Sequence, residues 1–129
     1  MHQLQVLSAS FKTIETGKPT IIIGYHYASD KKAKEKLIKS VNNKHILYFD
    51  DNPKGWASKW LPKDQRPVLI KFKARLKNPL VIKSKEMYEI SIYRKLSKIK
   101  QQGYDSLVYL SRERQGVLFY PKDQIIKFL

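Results

Sequence analysis

The chain contains no cysteine, which excludes disulfide scaffolds, thiol nucleophiles and cysteine-ligated zinc or iron–sulfur sites. A reducing compartment is thereby permitted. Its three histidines are too few and too scattered to replace cysteine, so no metal is expected. Acidic residues are scarce: 11 Asp plus Glu face 26 Lys plus Arg, a net charge of +15. Long apolar runs are also missing, and the strongest, around Ile21 to Ile23, falls far short of the roughly 18 to 20 residues of a membrane span. Residues 1–15 lack the basic-then-apolar order of a secretory signal. The expectation is a soluble, cytoplasmic protein without membrane contact. Glycine and proline number five and six, and no repeat or low-complexity linker divides the 129 residues. A single domain over 1–129, monomeric and burying roughly two thirds of the surface of its unfolded chain, is expected. GxGxxG, Walker, GxSxG and HExxH signatures are absent.

Eight Tyr, five Phe and two Trp, in a chain that is 42% apolar, are too many for a disordered basic tail. The positive charge therefore sits on a folded surface. Of the cations 21 are Lys and five Arg. Lys is a hydrated point charge suited to phosphate fields, whereas Arg makes planar bidentate contacts, so the balance favours general attraction to a polyanion or acidic partner over base readout. Solubility alone is the plainer alternative.

Strand and helix patterns alternate irregularly, which predicts an α+β fold. Thr20 to Tyr25 is β-branched and aromatic, a buried strand ending near His26. Asp30 caps a helix whose apolar face is Ala33, Leu37, Ile38 and Val41, with lysines around the rest. His45 to Phe49 reads as a strand. Asn52-Pro53 starts a short helix with Trp56, Ala57 and Trp60 inward. From Leu69 to Lys77 the pattern alternates: Ile70, Phe72, Ala74 and Leu76 point one way, Lys71, Lys73, Arg75 and Lys77 the other. Leu80 to Ile82 is a strand, and Lys85 to Gln102 an amphipathic helix through Tyr88, Ile92, Leu96 and Ile99, stopped by Gly103. Ser106 to Leu110, Val117 to Tyr120 and Ile125 to Leu129 close the chain as strands. The Lys71/Lys73/Arg75/Lys77 row and the helix bearing Lys32 and Lys36 are the candidate partner-binding faces, with a solvated face as the alternative for each. Asp50 and Asp51 are adjacent and face opposite ways in an extended chain, a poor metal pair.

Five segments stand in order: Gly24-Tyr25-His26-Tyr27-Ala28-Ser29; Leu47-Tyr48-Phe49-Asp50-Asp51-Asn52-Pro53 with Ala57; Leu76-Lys77-Asn78-Pro79-Leu80-Val81-Ile82; Gln102-Gly103-Tyr104-Asp105-Ser106-Leu107-Val108-Tyr109; and Val117-Leu118-Phe119-Tyr120-Pro121-Lys122-Asp123-Gln124-Ile125. Over about residues 20–129 this set resembles the small ADP-ribosyltransferase domains of phage and mobile-element polyvalent proteins. The resemblance implies a split β-sheet around an NAD cleft, NAD as substrate rather than resident cofactor, and a phage-encoded protein acting in the host cytoplasm. It implies that His26 holds the adenosine-side ribose, that the backbone of Tyr27 lies near the nicotinamide amide, and that Tyr48 stacks on the nicotinamide ring. Tyr104 and Asp105 would form a turn packed beneath the cleft. The implied reaction breaks the bond between the nicotinamide nitrogen and C1′. The electron pair leaves with nicotinamide, and a target nucleophile captures C1′ and gives up its proton.

Two departures accompany the resemblance. Tyr27 stands where the family has glycine, and Gln115 where it has the catalytic glutamate. An amide fills the electrostatic role of that carboxylate only partly. Glu113, two residues earlier, falls on the same side of an extended strand and is the alternative source of charge. Against the transferase stands a binding protein, either a lapsed transferase fold or an unrelated basic module that contacts nucleic acid or blocks an enzyme acting on it.

Overall fold

In the computed structural model, which describes residues 7–8, 11–28, 30–43, 45–53, 68–83, 89–110 and 114–129, the alternating stretch becomes β4, Val68–Leu76. Ile70, Phe72, Ala74 and Leu76 are all at most 1% exposed, while Lys71 lies open and Lys73 and Arg75 are half-buried. β4 pairs along its whole length with β2, Thr20–Ala28. That pairing carries β2 beyond the expected end at His26, because Tyr27 and Ala28 still find partners in Leu69 and Val68.

The fold is α+β. Around β2 and β4 stand β1 (Leu7–Ser8), β3 (Leu47–Asp50), β5 (Pro79–Ile82), β6 (Ser106–Leu110), β7 (Arg114–Leu118) and β8 (Ile125–Phe128). They form one mixed sheet in the order β5-β6-β7-β3-β2-β4-β8, with β1 parallel to β2 beside it. The pair β5–β6 is also parallel. One face buries Phe11, Ile22, Phe49, Phe72, Val108 and Leu118, with Ala33 and Leu37 of helix α1 (Lys31–Ser40) packed against them. The opposite face, on the β5-β6-β7 side, buries Leu107, Val117 and Phe119 beneath Leu96 and Ile99 of helix α2 (Glu89–Gln101).

Asp30 caps α1 as expected, its carboxylate accepting from the Ala33 amide at 2.8 Å. Gly103 ends α2 at φ +94°, a left-handed conformation that suits glycine. The Asp105 turn is densely bonded: its carboxylate accepts from the Lys77 and Asn78 amides at 2.8 and 3.0 Å and from the Ser106 hydroxyl at 2.9 Å. Its carbonyl accepts from the Phe119 amide and the Gln124 side chain.

Besides the end of β2, three boundaries differ from expectation. β3 is shifted to include Asp50, which pairs with both neighbours, Tyr25 and Gln115. β7 begins at Arg114 and ends at Leu118 because Leu110 and Tyr109 extend the β6–β7 ladder to Arg114 and Gln115. The following Pro121–Gln124 is a helical turn, α3, started by proline and tied down where the Gln124 side chain accepts from the Tyr120 amide at 2.9 Å. The expected helix of Trp56, Ala57 and Trp60, and Tyr88 of the later one, lie outside the described residues.

Candidate functional site

The seam between β2 and β3 organises the candidate site. Unlike the long β2–β4 ladder, β2 meets β3 at one registered pair, Tyr25 with Asp50. Beyond it the strands are joined by a side chain. The Nδ1 of His26 lies 2.7 Å from the carbonyl oxygen of Tyr48. A carbonyl only accepts, so Nδ1 carries the hydrogen and donates it. Burial pushes the His26 imidazole below its ordinary pKa, against smaller upward effects of the Tyr48 carbonyl and the Asp50 carboxylate. Neutral imidazole with hydrogen on Nδ1 presents Nε2 as an acceptor. His26 therefore carries its hydrogen-bond acceptor at Nε2 and its donor, already spent on the Tyr48 carbonyl, at Nδ1.

Asp50 continues the site into the sheet. It is 1% exposed, lies between Tyr25 on β2 and Gln115 on β7, and accepts from Nε2 of Gln115 at 3.2 Å. Tyr27 donates its hydroxyl to the Pro53 carbonyl, so its bulk is held by the segment after β3. Burial, and secondarily the Asp50 carboxylate, raise the Tyr27 pKa, which keeps it a phenol. The Tyr48 ring is half-buried against the core beneath α2.

Comparison with family models, curated proteins and solved structures returns no match. The site is thus defined by its own geometry. Of the residues named from the sequence, His26 and Tyr27 stand on β2, Tyr48 on β3 and Gln115 on β7; the structure joins His26 to the Tyr48 carbonyl and Gln115 to Asp50 as two separate hydrogen-bonded pairs. Glu113 lies outside the described residues. Asp50 was passed over, because adjacent aspartates were weighed as a metal pair and no local pattern foretells a partner 65 residues away. Among the described residues no group of three His, Asp or Glu gathers as a metal site, and no helix is long and apolar enough to cross a membrane.

The cationic row keeps its register. Lys71 stands opposite Tyr25, with Nζ 5.9 Å from the ring centroid, and Lys73 stands opposite Lys127 of β8. Arg75 and Lys77 line a cavity of about 190 Å³ with Asp105, Tyr120, Asp123 and Gln124. Lys32 and Lys36 are exposed on α1.

Proposed function

We propose that the chain is an NAD-dependent mono-ADP-ribosyltransferase whose donor site lies at the β2–β3 seam. The observation that carries this reading is the tie of His26 to the Tyr48 carbonyl across that seam, with Gln115 held by Asp50 at the neighbouring β3–β7 pair, in the roles the resemblance implies. The side chains fit a dinucleoside donor. Nε2 of His26 and the amide oxygen of Gln115 are acceptors for hydroxyls on two riboses, and the half-buried Tyr48 ring offers a flat face to a cationic heteroaromatic. In the reaction, Gln115 receives a ribose hydroxyl and supports charge building on the sugar, while His26 fixes the distant half of the donor. Transfer of labelled ADP-ribose from NAD to a lysate, with protein and nucleic acid separated, tests the proposal. Label retained by either fraction with wild type and lost with His26→Ala is the expected result; an unlabelled lysate, with NAD left intact, would overturn it.

The β4–β8 face supports a recruiting role for a nucleic-acid or nucleoprotein target. Like charges directly opposed across a ladder destabilise a sheet, and Lys73 and Lys127 are so opposed. A polyanion laid across Lys71, Lys73, Arg75 and Lys77 relieves that repulsion. The same face favours, as a second reading, a basic binding protein with no transfer chemistry.

A further inference from the structure

We infer that Asp50 is a positioning residue that sets the direction of the Gln115 side chain, so that its amide oxygen, and not its nitrogen, faces the donor. The inference rests on the transferase reading of the seam. Its basis is the β3–β7 ladder, where Asp50 and Gln115 are paired opposite each other and their side chains meet at 3.2 Å.

An ionised carboxylate only accepts hydrogen bonds, whereas an amide has a donating and an accepting end. With Asp50 1% exposed, the Gln115 nitrogen is drawn inward and the oxygen is left as the outward acceptor. A free glutamine samples both orientations, and only one of them receives a sugar hydroxyl. The buried negative charge also polarises the amide it holds, strengthening the acceptor. A neutral side chain on β7 and an acid on β3 thus share the work of one carboxylate. Among the groups facing the pair are Tyr109, registered opposite Gln115, Tyr25, registered opposite Asp50, and Tyr27 and His26 within electrostatic reach of Asp50.

The arrangement makes Gln115→Glu informative. In the wild-type background that substitution sets two carboxylates against each other, and one retains its proton to higher pH. In Asp50→Asn/Gln115→Glu the new carboxylate meets an amide instead. The full-length chain is assayed for NAD hydrolysis and for Tm across pH 4 to 9. Asp50→Asn alone is expected to lower kcat about tenfold or more while KM for NAD moves less than about twofold. The activity inflection of Gln115→Glu is expected about one pH unit or more above that of the double variant. Independently of activity, the raised folded-state pKa means that Gln115→Glu binds more protons folded than unfolded. Its Tm therefore falls as pH rises from about 4.3 through the raised value, and the double variant lacks this fall. Coincident Tm profiles for the two would overturn the pairing whatever the activity. Divergent profiles with no NAD hydrolysis by any form would retain the pairing but overturn both the transferase reading and the donor-facing role of Gln115.

Discussion

Gly116→Ala is the sharpest test of how β7 is seated. Gly116 stands opposite Phe49, and a β-carbon there would meet Cζ, Cε2 and Cε1 of that ring at 2.2, 2.6 and 2.8 Å. The ring has nowhere easy to go. Phe49 is 3% exposed and packs edge-to-face on Phe11 at 5.4 Å and on Phe72 at 5.8 Å. Phe72 in turn lies over Gly24, where a β-carbon would approach to 2.5 Å. Overpacking of a tight core costs about 1 to 3 kcal/mol, and disturbing two aromatic pairs costs about 0.5 to 1.5 kcal/mol each. The lower chain entropy of alanine returns about 0.4 to 1 kcal/mol, leaving a net loss of about 1 to 6 kcal/mol. At roughly 3 to 5 °C per kcal/mol for a chain of this size, Tm should fall about 3 to 30 °C by differential scanning calorimetry. Phe49→Leu in the same background should recover part of the loss, so the two changes should be clearly non-additive. A Gly116→Ala protein melting within about 2 °C of wild type would refute the ring-over-glycine seating, and with it the alignment of Gln115 on Asp50.

Three further outcomes follow from the same structure. His26 has a folded-state pKa below its ordinary 6.5, so the unfolded chain binds the extra proton; its contribution to stability is full above about pH 6.5 and lost as pH falls through the folded value, and His26→Gln should flatten that part of a Tm-against-pH curve. Asp105→Ala removes the acceptor for two amides and a hydroxyl and should cost about 2 to 4 kcal/mol in urea unfolding, whereas Asp105→Asn should retain part of it; equal losses would contradict the turn as described. Replacing Lys71, Lys73 and Lys77 together by Gln should flatten the salt dependence of binding to a nucleic-acid probe by roughly 0.7 to 0.9 in log-log slope per lost phosphate contact, with Tm no lower than wild type because the Lys73–Lys127 opposition is relieved; an unchanged slope would assign the row to solvation.

Legibility in the sequence tracked locality. The β4 alternation, the Asp30 cap and the Gly103 stop were readable because each depends on residues a few positions apart, and each stands as read. The start of β7 was not, because Arg114 and Gln115 belong to the strand through pairing with Leu110 and Tyr109 across the ladder. The helical turn at Pro121–Gln124 depends on Gln124 reaching back to Tyr120 and to Asp105, the latter a contact that no window contains. At the candidate site, His26 and Gln115 are named through an ordered motif set, and the structure adds their partners, the Tyr48 carbonyl and Asp50. Asp50 was missed because its meaning comes from a buried cross-strand partner rather than from Asp51 beside it.

Isothermal titration of NAD into the full chain shows most directly whether the β2–β3 seam receives NAD through His26, as proposed. Wild type should bind with 1:1 stoichiometry, and His26→Ala should bind at least about tenfold more weakly, a loss of about 1.4 kcal/mol as expected for one hydroxyl contact to a buried acceptor. Absence of binding by wild type at millimolar NAD, or equal affinity in the two proteins, would contradict that proposal.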